Sequence, residues 1–374
     1  MKALLFICLY ICCSSIVKGQ GFSDLTWVDR RALSIPTAKT YSADSIASYM
    51  QLNFKTDLEK TRAIYTWVTT NIRYDTDSMF PINWSLEQEE KISATLRRRR
   101  GVCENYAALF TGIVSKTGIP AFVVNGYTRN NGYVNRAGHS WCAVNVQQQW
   151  FLCDPTWDSD SRGNNRFFLI GPSEFIESHI PFDPLWQLLE YPLMEHEFGK
   201  GLFRSKKDRP LFNYVDSVKA FLQLDSLQQL EASNRRIKEA GIENERQKYW
   251  VAYNQMKIAG IYGEKDMHLY NSAVSDLNQA NNIFNDFVQY RNNRFTPLKT
   301  DAEINNLLVP IPGLVSAALR KIEQMGKAVE NFQYDTGAIK SRLLLLSGRV
   351  KEQQNFLNQY LATGPAERPK LFYK

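Results

Sequence analysis

Cys103, His139 and Asp154 are the residues whose types and surroundings could do chemistry together, and that chemistry would be nucleophilic acyl transfer. Gly101 lies just before the cysteine, and a helix is predicted to start at Cys103 and to stop at Gly118, a good residue for a helix end. The thiol therefore sits at a helix N-terminus, where unpaired N–H groups and the helix dipole favour an anion. Such a setting lowers a thiol pKa and makes a nucleophile at neutral pH. The glycine allows a tight turn and close approach of a substrate, and a backbone N–H at this point can donate to the oxyanion formed in acyl transfer.

The histidine and the aspartate belong to a predicted hairpin, with strands over 139–146 and 149–154 joined at Gln147-Gln148. A two-residue turn there sets Trp141 opposite Asp154 and Cys142 opposite Cys153. His139, Trp141 and Asp154 then share one face of the hairpin, and Cys142 and Cys153 share the other. His139 is diagonal to Asp154, at roughly 7–8 Å between backbones and within side-chain reach. A carboxylate so placed can hold one ring nitrogen and leave the other for the thiol, as in a Cys-His-Asp triad. Cys142 and Cys153 are read as buried thiols or as a cross-strand disulfide, since a hydrogen-bonded pair at ~5.5 Å falls within disulfide range.

The elements that must position these residues divide the chain by texture. Residues 24–205 mix short apolar runs with Gly and Pro and hold seven of the eight tryptophans; they read as an α+β catalytic domain. Thr56 and Glu59 form a capping box ahead of a helix that buries Ala63, Ile64, Trp67, Val68 and Ile72. The helix from Cys103 has Tyr106, Ala107, Phe110, Ile113 and Val114 as its buried stripe, and a strand follows over 121–128. Residues 206–374 are rich in Gln, Asn, Lys, Glu and Leu, and read as a mostly helical domain with helices over 214–232, 243–292, 313–330 and 336–362. Pro310 and Pro312 are expected to break one connection, and Gly260 and Gly263 to interrupt the longest helix. The stripe Ile339, Leu343, Leu346, Val350, Leu357 and Leu361 predicts a packed bundle. Residues 204–210 read as the linker.

Composition excludes several functions. Residues 1–19 read as a signal peptide, with Lys2 ahead of an apolar run from Ala3 to Val17 and a cleavage site after Gly19. The expected product is exported, periplasmic or extracellular; a lipoprotein reading through Cys12 or Cys13 is disfavoured by the residues before them. The apolar run is shorter than a membrane span and none of that length is seen later. Of six cysteines, Cys8, Cys12 and Cys13 leave with the signal, and three are too few for a disulfide scaffold. The net charge of +7 falls to +5 without Lys2 and Lys18, with much of the excess in Arg97–Arg100. Without nucleic-acid motifs or stacking aromatics nearby, that run reads as a solvated loop before a helix, with an anionic substrate or surface as the alternative. His179, His196 and His268 lack metal-like partners at usable spacing, and no nucleotide loop is present, so no metal and no cofactor are expected. Asn83-Trp84-Ser85 is a glycosylation sequon.

The segments Gly101-Val102-Cys103-Glu104-Asn105-Tyr106-Ala107, His139-Ser140-Trp141 and Asp154-Pro155-Thr156-Trp157, with Trp150 between them, resemble the three motifs of the transglutaminase-like superfamily. The stretch 167–189, with His179-Ile180-Pro181 and Trp186-Gln187-Leu188-Leu189, resembles the subgroup of kyphoscoliosis-type peptidases and exported bacterial transglutaminase-like proteins. The resemblance covers roughly residues 40–200. It implies a papain-like fold, with the nucleophile-bearing helix packed on an antiparallel sheet, and thiol acyl-transfer chemistry by Cys103, His139 and Asp154. The Gln-Gln turn departs from the Asp-Gly or Asn-Gly such hairpins prefer. A second oxyanion donor is open between Tyr74 and Trp67, the latter better suited to the core. Three functions follow: a thiol hydrolase or peptidase acting on peptide or envelope-linked amides, a transglutaminase using an amine in place of water, or an exported scaffold with a vestigial triad. The helical domain is a candidate surface for a protein partner.

Overall fold

The computed structural model describes residues 24–78, 87–159, 165–203, 209–326 and 334–373. The expected signal peptide, the Asn83 sequon and most of the expected linker lie outside the described residues. The chain divides into two compact units, one of Met1–Gln223 with Arg235–Gln247 and one of Leu224–Asn234 with Lys248–Lys374.

The first unit is α+β. Helices α1 (Thr26–Leu33), α2 (Ala43–Asn53) and α3 (Asp57–Asn71) come first. The capping box of α3 forms as expected: Thr56 Oγ1 accepts from the Glu59 N–H and the Glu59 carboxylate accepts from the Thr56 N–H. Strand β1 (Arg73–Tyr74), helix α4 (Gln88–Arg98), strand β2 (Arg100–Gly101) and helix α5 (Cys103–Lys116) follow. Helix α5 ends where the sequence places its stop, with Gly118 at φ 86°. Its apolar stripe packs with Cys142, Val144 and Cys153 in one core that also takes in α3.

Strands β3 (Ala121–Asn130), β4 (Tyr133–Val146), β5 (Gln149–Cys153) and β6 (His179–Pro181) form an antiparallel sheet in the order β5-β4-β3-β6. The hairpin register is the one expected, with Cys142 opposite Cys153. Gln147 and Gln148 hold φ of 52° and 65°, both in the left-handed region, so the turn is of the primed kind without its favoured residues. Cys142 and Cys153 join the core with α5, while Trp141 packs in a second core with Phe175, Leu185 and Trp186. Gly126 pairs with His139 on one side and Pro181 on the other. A Cβ at this glycine would lie 2.0 Å from the Ile180 carbonyl oxygen and 2.6 Å from the Trp141 ring. Short helices α6 (Pro155–Asp158) and α7 (Pro172–Phe175) lie between β5 and β6, and α8 (Glu195–Lys200) and α9 (Tyr214–Phe221) follow.

The basic run is not a solvated loop. Arg97 and Arg98 close α4, Arg99 is its left-handed cap at φ 54°, and Arg100 lies in β2. Arg98 and Arg100 both bind the buried carboxylate of Asp75, at 2.6 and 3.0 Å. Arg99 donates to Thr40 and lies over the rings of Trp67 and Tyr41. The run is thus a structural clasp: an acid as buried as Asp75 needs cationic partners.

The second unit is helical. The expected helix over 214–232 is two helices, α9, which belongs to the first unit, and α10 (Ser226–Ala240), because Asp225 accepts from the Gln228 N–H and starts a new helix. Helix α11 (Glu245–Asn292) runs through Gly260 without interruption, against expectation. A glycine costs a helix only about 1 kcal/mol, which the buried stripe Ala273, Leu277, Ala280, Phe284 and Phe287 outweighs. Pro310 and Pro312 open a helix rather than break one. They lie in the first turn of α13 (Pro310–Gln324), where a missing N–H has no helical partner to lose. After the short α12 (Asp301–Asn305), the stretch Asp301–Gln324 is apolar enough to cross a membrane by length and composition, which the sequence reading passed over. Its Ile304, Leu308, Ile311, Val315, Ala318 and Ile322 are buried in the core of this unit, which accounts for part of that apolarity, while Val309 is exposed. Helix α14 (Thr336–Ala362) buries the expected stripe from Ile339 to Leu357.

Candidate active site

Each member of the constellation is held by a local feature of the backbone. Cys103 is the first residue of α5, half-buried. Asn105 turns back to cap this helix, its Oδ1 accepting from the Val102 N–H at 3.0 Å and its amide donating to Thr95 at 3.1 Å. That fold-back needs Gly101, because a Cβ there would stand 2.4 Å from the Asn105 Cβ. The glycine thus serves the cap as well as the turn. Tyr106, one turn into α5, donates to the Ile72 carbonyl at 2.7 Å and ties α5 to the end of α3.

His139 projects from β4 with its side chain 11% exposed. Its Nε2 lies 2.7 Å from Asp154 Oδ2. The charge of Cys103 also acts on it, and with Nε2 on the carboxylate the nitrogen left for a thiol is Nδ1. Burial works to lower the imidazole pKa. The charge and hydrogen bond of Asp154 and the pairing with Cys103 outweigh it and raise the value to about 10. Asp154 thus favours the charged imidazolium of His139.

Asp154 follows β5 and is the N-cap of α6. The sequence assigns it to a strand; the structure gives it a second task. Its Oδ1 accepts from the Thr156 and Trp157 N–H groups at 2.8 and 3.2 Å, and its Oδ2 faces His139. The residue is wholly buried. Burial would raise its pKa, but the charge of His139 and the hydrogen bonds of His139 and His179 hold it well below the ordinary carboxylate range. The Tyr65 hydroxyl shares its one proton between the Asp154 carbonyl at 2.8 Å and Asp158 Oδ2 at 2.6 Å, bracing α6.

The remaining expected residues separate. Tyr74, paired with Gly101 across β1 and β2, is near enough for the charges of Cys103 and Asp154 to act on it. Burial first, and then those two charges, raise its hydroxyl pKa, so it stays a donor. Trp67 is buried in the core beneath Arg99, as its helical stripe implied. The disulfide alternative does not hold. Cys142 and Cys153 are opposed in the register but both are free, because each sulfur faces its own backbone group. Cys142 Sγ points to the Ala107 carbonyl at 3.8 Å, and Cys153 Sγ accepts from the Leu169 N–H at 3.3 Å. Burial raises both thiol pKa values and keeps them protonated and inert.

His179 is the residue that sequence reasoning missed. Sequence spacing gives it no metal-like partner, yet its Nε2 lies 3.1 Å from Asp154 Oδ2. His139, Asp154 and His179 bring one donor atom each within 4.8 Å, so the geometry of a metal site must be weighed. A tetrahedral ion about 2.0–2.1 Å from each atom would hold ligands roughly 3.3 Å apart. Here both nitrogens converge on a single oxygen, one of them at 2.7 Å, which is hydrogen-bond geometry. Strand β6 reaches Asp154 only by pairing with β3, and no short-range spacing announces that.

Part of this unit is similar to known proteins. Residues 44–155 match the family model of the transglutaminase-like superfamily. The chain carries a transglutaminase-like domain. It is 30% identical to human kyphoscoliosis peptidase over 187 residues, 46% of this chain and 28% of that protein. It is 27% identical to hillarin of Drosophila melanogaster, over 46% of this chain and 24% of that one. The chain thus spans about a quarter of the length of these curated relatives. Among solved structures, the periplasmic domain of TgpA from Pseudomonas aeruginosa aligns at 20% identity with a TM-score of 0.27, covering 37% of this chain and 49% of that one. The match over 44–155 takes in Cys103, His139 and Asp154 and stops short of His179, the partner that completes Asp154.

Proposed function

We propose that this transglutaminase-like domain is a cysteine-dependent acyl-transfer enzyme, and that water is its usual acceptor. The observation that carries the reading is His139, held by Asp154 at 2.7 Å, with the charges of Asp154 and Cys103 raising its pKa to about 10. An imidazolium so held stabilises a thiolate beside it. The sulfur attacks an amide carbonyl carbon, and the oxygen becomes an oxyanion. The Cys103 N–H at the start of α5 and the Tyr74 hydroxyl are the donors we assign to it. His139 passes its Nδ1 proton to the leaving nitrogen as the C–N bond breaks, leaving a thioester and a neutral imidazole. Water, deprotonated by that imidazole, then attacks the thioester; the acid departs and the thiolate and imidazolium return.

The substrate we assign is a protein or peptide amide, and the compartment is outside the cytoplasm, on the strength of the apolar N-terminal run read as a signal. Two measurements test this. Iodoacetamide should alkylate Cys103 at pH 6 well above the rate of an ordinary thiol, and His139→Ala should remove the excess. A rate that is ordinary, and indifferent to His139, would leave the domain as a scaffold. Peptide products should be hydrolysed even when a tagged primary amine is present; preferential incorporation of the tag would make the enzyme a transglutaminase instead.

A further inference from the structure

Asp154 has one partner more than a triad requires. Its carboxylate accepts four hydrogen bonds, from the Thr156 and Trp157 N–H groups on Oδ1 and from His139 and His179 on Oδ2. The fourth comes from a fully buried side chain whose other nitrogen is also engaged: His179 Nδ1 lies 2.7 Å from Ser178 Oγ. The ring is fixed in its plane as well. It stacks on Phe175 at 4.1 Å between centroids, and Trp157, Trp141 and Phe167 pack around it at 4.5 to 5.7 Å. Of the groups packed against it, the titratable ones are Asp154 at the start of α6 and His139 on β4. Ser178 and the four aromatic rings carry no charge.

We propose that His179 is a positioning residue for the Cys103–His139–Asp154 site. As the Nε2–H tautomer, required because an ionised carboxylate oxygen can only accept, it donates to Asp154 Oδ2 and fixes the direction from which that oxygen receives His139. This rests on the reading of Cys103 as a nucleophile activated by His139. A buried histidine that only filled the core could meet its needs at any polar atom; this one shares the single oxygen that orients the general base. Burial, aided by the charge of His139 and only partly offset by Asp154, lowers the His179 pKa to about 4. It therefore orients the carboxylate as a neutral donor and leaves the negative charge of Asp154 for His139. Two charged imidazoles on one carboxylate would divide that charge.

The test uses the full chain. Nitrogen-15 labelling of its four histidines resolves their tautomers by NMR, and His179→Gln assigns the signal. The expected wild-type spectrum shows His179 neutral and protonated at Nε2 from pH 5.5 to 8; a charged ring or an Nδ1–H tautomer overturns the proposal. Met and Gln have the same shape, but only Gln carries a donor near the Nε2 position. His179→Met should slow Cys103 alkylation at pH 6 by about tenfold, the low end of what loss of a partner that orients an imidazole costs in metal sites. His179→Gln should recover to within about threefold of wild type. Equal rates in both variants, or a wild-type rate in the Met variant, overturn the proposal. If the Met variant fails to fold, the wild-type spectrum still decides. His139→Ala separates the two levels. If it leaves alkylation unchanged, the activated thiol fails and the role of His179 with it. If it slows alkylation and His179→Met does not, the role of His179 alone is lost.

Discussion

The two units of this chain spend their buried volume differently. Among the described residues, the helical unit buries three polar side chains, Asn234, Asn254 and Asp266, within a core of Leu, Ile, Val, Ala and Phe. The α+β unit buries Asp75, Asp154, Asp158, His179, Asp183 and Glu197 as well as many hydroxyls. Each of these charges has partners: two arginines for Asp75, Tyr65 for Asp158, Arg236 for Asp183 and Arg209 for Glu197. Buried charge is costly even when paired. A protein selected for stability alone would build both halves like the helical one. The polar interior marks the half that holds the candidate site.

That contrast can be broken most sharply at the site. Cys103→Ala should abolish product formation while leaving the thermal midpoint within a few degrees of wild type, since a half-buried thiol adds little to packing. Asp154→Asn should lower kcat by about 10³- to 10⁴-fold, the scale seen when a triad carboxylate loses its charge. In the helical unit the expectation reverses. Leu343→Ala, at a fully buried position, should cost about 2–5 kcal/mol of stability and leave the alkylation rate of Cys103 unchanged.

Acidity sharpens the comparison further. The His139 pKa is raised to about 10 in the fold from about 6.5 in an unfolded chain. Its contribution to stability is therefore complete below about pH 6.5 and is lost as pH rises to 10. Thermal midpoints should fall across that window in wild type and less in His139→Gln. His179 has the opposite sign. Its pKa is lowered to about 4, so the unfolded chain takes up a proton near pH 6.5 that the fold refuses until about pH 4, and stability drains over that range. The smallest effect lies at the turn. Replacing Gln147 with Asn and Gln148 with Gly, where both φ are positive, should stabilise the hairpin by about 1 kcal/mol in a denaturant titration.

Much of this was legible from local chemistry. The Thr56 box, the start of α5 at Cys103, its end at Gly118 and the 146–149 turn all follow from residues within a few positions of one another. The hairpin register then placed His139 near Asp154 without any long-range information. Where contacts came from afar, reading failed. His179 meets Asp154 through a strand that pairs two elements away, and the arginine run finds Asp75 across the β1–β2 ladder. The helical half misled for another reason. Glycine and proline were given fixed meanings, whereas their effect depends on what the neighbouring turns bury and on which turn of the helix they occupy.

Gly126 carries a consequence of its own. Its two ladder partners, His139 and Pro181, belong to the strands that bear the two imidazoles, and the space a methyl group would need is already filled by the Ile180 carbonyl and the Trp141 indole. The gap between the two rings is thus gauged by an atom the chain omits. An alanine there would act as a wedge, easing β6 off β3 and lengthening the reach of His179 to Asp154, with no reacting group altered. Variation at this silent position would tune the spacing of the two imidazoles without touching either ring.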